Sequence, residues 1–220
     1  MTPWIQHVRK WKDCTNCPLC QQRDRICLAR GTIPCDVLFI GEAPGASENA
    51  IGQPFKGPAG QLLDAIIASS LLGPEMQTTR IAMTNLVACF PAEAKGAGSN
   101  EPEHEEIMAC AGRLAEFVNV AQPRLIVCVG SLSTQYVNHT DTVKCLDIVH
   151  PAAILRMPLA QKQMAVQRTT VVLKNAIERM LQTPPEEWKE WGSANLSKSK
   201  GLGQRWDAWT KDHADIDVPF

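Results

Sequence analysis

Residues 36–63 read DVLFIGEAPGASENAIGQPFKGPAGQLL, and the fold is decided here. Val37, Leu38, Phe39 and Ile40 form an unbroken apolar run, as in a strand covered on both faces. The chain then enters a loop holding four glycines and three prolines, and a helix starts after Pro58. A strand, a Gly-rich turn bearing a carboxylate at Glu42, and then a helix is how α/β proteins build a site at the carboxyl edge of a sheet. Gly41 and Gly45 let backbone approach a ligand closely. Glu42 is suited to act as a base or to bind a polar edge, and Phe55, set between Pro54 and Gly57, to present a flat face. A purely structural turn would account for GEAPG equally well if it stood alone.

The rest of the chain repeats the alternation. Residues 3–13 fit a short helix with Trp4, Val8 and Trp11 on one face. Strands are expected over 36–41, 80–88, 124–129 and 145–149, and helices over 58–72, 102–119 and 159–182, with a short one from Ser131. Such alternation implies an α/β fold, here a three-layer α/β/α sandwich around a mainly parallel four-stranded sheet. Three strands end in polar residues, at Glu42, Asn85 and His150. In a parallel sheet those ends meet at one edge, where open α/β sheets bind ligands.

The formal net charge of the 220-residue chain is −1, so the whole does not announce a polyanion partner. Residues 1–30 nevertheless hold six Lys/Arg against two Asp, a local patch that fits either phosphate or a solvated face. No apolar run is long enough to span a membrane, and the N-terminus lacks the apolar core of a signal peptide. A cytoplasmic monomer with no membrane partner is the expectation. Residues 92–100 look like a flexible loop. The domain is expected to end at residue 182, followed by an extension over 183–220 that carries four of the six tryptophans. Packing of those rings on the core is favoured over a stacking or partner surface.

Nine cysteines are many for a cytoplasmic chain, where disulfides are disfavoured, so metal or cluster ligation is the leading use for some. Cys14 and Cys17 form a C-x2-C pair, followed by Cys20; Cys89 and Cys110 flank the 92–100 loop. Iron–sulfur clusters and zinc both accept four cysteines, and Cys20 could replace another ligand. Cys27, Cys35, Cys128 and Cys145 read as ordinary residues, the last two inside apolar strands.

Taken in order, CTNCPLC (14–20), GEAPG (41–45), GQPFKGPAGQLL (52–63), TNLVAC (84–89), PEHEEIMAC (102–110) and HPAAILR (150–156) resemble the iron–sulfur uracil-DNA glycosylases, family 4 of their superfamily. The resemblance covers residues 14 to about 180. It implies a 4Fe–4S cluster on Cys14, Cys17, Cys89 and Cys110, and a monofunctional glycosylase that flips a base out of DNA and hydrolyses its glycosidic bond. It implies Glu42 and His150 as catalytic residues. Glu42 would position water or stabilise the cationic sugar, and His150 would donate to O2 as charge grows there. Base contacts are implied for Gly41, Ala43, Gly45, Glu48, Asn49, Phe55 and Asn85, with Phe55 stacking and Asn85 reading the O4/N3 edge. DNA contacts are implied for Lys56, Leu155 and Arg156, Leu155 as a wedge and Arg156 on phosphate.

Three departures stand out. The family commonly has Glu-Asp at Glu48-Asn49 and Cys-Arg-Pro at Cys89-Phe90-Pro91, and its two later cysteines are usually closer than the 20 residues between Cys89 and Cys110. A longer loop costs little closure entropy, so a cluster remains compatible. The missing carboxylate at position 49 and the absent side chain at Gly45 leave open a C5-substituted pyrimidine, such as a phage-type base, in place of uracil. A catalytically silent DNA-binding module is the alternative from another class.

Overall fold

The computed structural model describes residues 1–73, 76–91, 101–137 and 144–184. Its centre is β2, Val37–Gly41, in which all five residues are buried. Parallel to it lie β3 (Ile81–Asn85) on one side and β4 (Leu125–Val129) on the other, and β5 (Lys144–Ile148) extends the sheet beyond β4. A fifth strand, β1 (Arg30–Gly31), pairs antiparallel with the outer edge of β3. The sheet therefore has five strands in the order β1-β3-β2-β4-β5, not the four expected. At two residues and without an apolar run, β1 carries no periodic signal.

Successive side chains of each strand point to opposite faces, and each face has its own core. Val37 and Phe39 of β2, with Met83, Val127 and Val129, pack under α3 (Pro58–Ser70) and α7 (Leu159–Gln182) through Leu63, Ile66, Leu173 and Ile177. Leu38 and Ile40, with Ala82, Ile126 and Cys128, pack under α4 (His104–Ala121) through Ile107, Leu114 and Phe117. The N-terminal α1 (Pro3–Trp11) lies on α4. Its Trp4 meets the Phe117 ring edge-on, and Glu116 accepts from His7, Lys10 and the Trp11 indole. His7, rather than the tryptophans, is the fully buried side chain of α1. The expected three α/β/α layers are present.

Two helices inside the motif loops escape periodicity because neither exceeds six residues: α2 (Ala46–Ile51) and α6 (Pro151–Leu155). The first has a local cause. Glu48, in its first turn, accepts from the Gly45 amide, and Gly52 closes the helix in the left-handed region at φ 83°. The short helix read from Ser131 is α5, Ser131–Tyr136. The 92–100 loop and nearly all of the Trp-rich extension, from residue 185, lie outside the described residues.

Candidate active site and cysteine centre

Strand β2 connects to β3 on one side, whereas β4 connects to β5 on the other. The crevice beyond the carboxyl ends of β2 and β4 is therefore the switch point of the sheet, where α/β folds bind ligands. A cavity of about 360 Å³ opens there. Glu42, Ala43, Gly45, Glu48, Phe55, Asn85 and His150 line it, together with Pro44, Ser47, Pro58 and Ala152. Strand ends supply Glu42 and Asn85, the N-terminal cap of α6 supplies His150, and the α2–α3 loop supplies Phe55.

Glu42 is half-buried, and burial, with Glu101 nearby, pushes its carboxyl above the ordinary glutamate value. The Leu132 backbone and the Arg156 charge act in the opposite direction. Burial, reinforced by Arg156, lowers His150 below the usual histidine range, so the ring is neutral near pH 7. Its Nδ1 accepts from the Ala152 amide at 3.2 Å, which assigns the remaining proton to Nε2. A neutral imidazole with an Nε2–H is a hydrogen-bond donor that carries no charge to be desolvated.

Two glycines make room for these groups. A Cβ on Gly41 would lie 2.5 Å from both Asn85 Oδ1 and the Phe55 ring, so Gly41 sits beneath these two groups instead of lining the cavity. Gly130, at φ 97°, follows β4, where a Cβ would come within 2.6 Å of Glu42 Oε1 and 3.2 Å of the His150 ring. The sequence marks Gly130 only by its place between the 124–129 strand and the helix from Ser131, with no role at the site.

Phe55 has a positive φ of 55°, a strained conformation for an aromatic residue. The strain is held from two sides. Glu48 accepts from the Lys56 and Gly57 amides at 2.8 and 2.7 Å, in addition to Gly45 at 3.1 Å. Arg30 donates to the Pro54 and Phe55 carbonyls and pairs with Asp64. The structure thus gives Glu48, which also lines the cavity, three backbone amides to hold as a brace.

Asn49 is corrected more fully. It lies outside the cavity lining and binds the N-terminal segment: its Oδ1 accepts from the Asp24 amide, and its Nδ2 donates to the Asp24 carboxylate, each at 2.8 Å. The carboxylate absent at position 49 is therefore absent from this clasp, not from the pocket. A Cβ at Gly45 would meet the Glu48 carboxylate at 2.8 Å, so the glycine there answers to the brace. Lys56, Leu155 and Arg156 are exposed outside the cavity, Leu155 at the end of the helix that His150 caps.

The basic patch is largely committed within the protein. Lys10 binds Glu116, Lys12 pairs with Asp13, Arg30 braces the Phe55 loop, and Arg23 reaches a cysteine.

Behind Asn85, a smaller cavity is lined by Cys14, Cys17, Cys20, Cys89 and Cys110, with Arg23 and Arg113. Arg23 donates to Cys89 Sγ at 3.1 Å, and Arg113 to Cys110 Sγ at 3.3 Å. Burial is the main force raising Cys17, with Cys110 and Cys89 adding to it, to about 11. A metal centre would supply the positive charge that such sulfurs need as thiolates. Cys27, Cys35 and Cys128 are buried elsewhere, and Cys145 packs on the α4-side core.

The fold and cavity define an α/β protein with a preformed pocket at the switch point of its sheet. A family model described as the uracil DNA glycosylase superfamily matches residues 29–174. The type-4 uracil-DNA glycosylase of Sulfurisphaera tokodaii is 35% identical over 124 residues, 56% of this chain and 53% of that protein. The type-4 enzyme of Pyrobaculum aerophilum is 36% identical over 124 residues, 56% of this chain and 59% of that protein. That of Archaeoglobus fulgidus is 29% identical over 178 residues, 71% of this chain and 85% of that protein. The chain belongs to the uracil DNA glycosylase superfamily, and the relatives it resembles are type-4 enzymes. It spans little more than half the length of the first two of these relatives.

Proposed function

We propose that the protein is a monofunctional DNA glycosylase that releases uracil from DNA. One observation carries this reading: a carboxylate, a neutral imidazole, a carboxamide and an aromatic ring converge on one 360 Å³ cavity at the sheet's switch point. A flipped pyrimidine stacks on Phe55, and the Asn85 amide, with one donor and one acceptor group, pairs with its O4/N3 edge. As the glycosidic bond breaks, negative charge collects on the leaving base. His150 Nε2–H donates to O2 there. Glu42 faces the opposite charge, the cationic sugar, and orients the water that completes hydrolysis. Among the described residues Lys56 is the only lysine in the pocket loops and its side chain is exposed, which gives no support to an amine nucleophile or a lyase step.

The cysteine centre fits a 4Fe–4S cluster on Cys14, Cys17, Cys89 and Cys110, with Cys20 the one substitute ligand in the same cavity. When bound, the cluster would supply negative charge and tie the N-terminal segment to the loop after Asn85 and to α4. DNA is the partner this reading requires, with Leu155 wedging into the vacated space and Arg156 on phosphate. Among the described helices none is long and apolar enough to cross a membrane; a cytoplasmic enzyme is the reading adopted.

The test is an oligonucleotide carrying one uracil, beside a set carrying C5-substituted pyrimidines. Free uracil and a strand break that appears only after alkali are expected. Release from the C5-substituted set alone would replace uracil with that base class. Binding without release of any base would leave a DNA-binding module.

A further inference from the structure

Arg113 is 1% exposed, and it is the largest fully buried side chain among the described residues. No carboxylate among the described residues forms an ion pair with it. Its guanidinium instead bridges two places. Nη1 donates to Thr84 Oγ1 at 3.0 Å, and Nη2 donates to the carbonyls of Asn85 and Leu86. On its other side Nε donates to Cys110 Sγ. A buried cation held by carbonyls, a hydroxyl and an uncharged thiol is costly, because dipoles do not neutralise it. Among the described residues, Cys110 Sγ is the one group bonded to it that becomes anionic on holding a metal centre.

We propose that Arg113 is a positioning residue for base release, setting the angle of the base-reading Asn85 while the charge of the thiolate centre at Cys110 compensates its own. Asn85 is the last residue of β3, where the ladder with β2 ends. Beyond that point its carbonyl needs another partner, and the planar fork of Arg113 holds it together with the next carbonyl. The Asn85 side chain projects on the cavity side, against Gly41 and Phe55, so a tilt of its backbone moves the amide that reads the base. Sequence reading assigned no role to Arg113; the only trace is its place one helical turn after Cys110.

The inference rests on the proposed glycosylase reading for its kinetic arm and on the cluster for its spectroscopic arm. The experiment compares Arg113→Lys and Arg113→Gln as purified holoproteins with iron content matched. For Arg113→Lys, single-turnover uracil release is expected to fall by about 10–100-fold, because small misplacements of a site carry penalties of this size. KM for DNA should stay within about twofold, since Arg113 touches no DNA. Lysine keeps the charge, so the cluster's reduction potential stays close to that of the unchanged protein. Arg113→Gln loses the same rate and also shifts the potential to more negative values, as a cationic donor to a ligand sulfur is removed. In an Asn85→Ala background Arg113→Lys should cause little further loss, because the two residues act as one unit. Unchanged release by Arg113→Lys, a loss that simply multiplies with that of Asn85→Ala, or an unchanged potential in Arg113→Gln would overturn the proposal. If Arg113→Gln does not fold, Arg113→Lys still carries the kinetic arm and the double-mutant comparison. Failure of the glycosylase reading shows earlier, as a parent protein that releases no base, and leaves the potential measurement intact.

Discussion

At the residue scale the site separates two kinds of charge. His150 is kept neutral by burial and by Arg156, while burial and Glu101 raise Glu42. Uracil release should therefore lose rate in acid along a limb lying above the ordinary glutamate value of about 4.3. Arg156→Gln, measured at saturating DNA, should move that limb to higher pH, because Arg156 holds the Glu42 value down. An unmoved limb would dissociate it from Glu42. His150→Ala should slow release by about 10²–10³-fold, the usual cost of one donor to a developing oxyanion. Glu42→Gln should slow release but raise Tm at pH 7. A carboxyl raised on folding contributes stability below its unfolded pKa and loses it as pH rises through the folded value. At neutral pH the ionised, half-buried Glu42 is thus a net burden, which glutamine removes. A Tm that falls would show that the Leu132 bond outweighs the burial.

At the element scale, the α2–α3 loop is a spring held by two side chains, Glu48 and Arg30. Glu48→Gln exchanges an acceptor of three amide bonds for a group with one acceptor oxygen, and should cost about 1–3 kcal/mol by chemical denaturation. It should also slow release by loosening Phe55. Stability equal to the parent would remove the brace. Much of this element was legible in the sequence: the buried β2 run, the Pro58 start of α3 and the ring of Phe55 were all local signals. The rest was not, for physical reasons. Glu48 and Asn49 are adjacent, yet one faces the loop and the other turns back to Asp24, and no spacing rule separates them. The short helices α2 and α6 are too brief for a period. Arg30 and Arg23 looked like members of a phosphate patch, because their partners lie 25 and 66 residues away in the chain.

At the scale of the whole molecule, a parallel sheet gathers distant strand ends at one edge, and the cysteine cavity stands directly behind one of them, Asn85. The expected order of elements therefore carried the site even where its details differed. The purified protein should be brown, with absorbance near about 400 nm, and Cys110→Ala should lose both the colour and bound iron. Stoichiometric zinc in a colourless anaerobic preparation would contradict the cluster. The most direct measurement of the central claim is base release from a duplex carrying a single uracil, followed by chromatography of the free base and by gel analysis with and without alkali. Free uracil from the parent protein, strand breaks only after alkali, and loss of both in His150→Ala and Glu42→Gln is the predicted result; DNA binding without release of any base, or release unaffected by both substitutions, would contradict it.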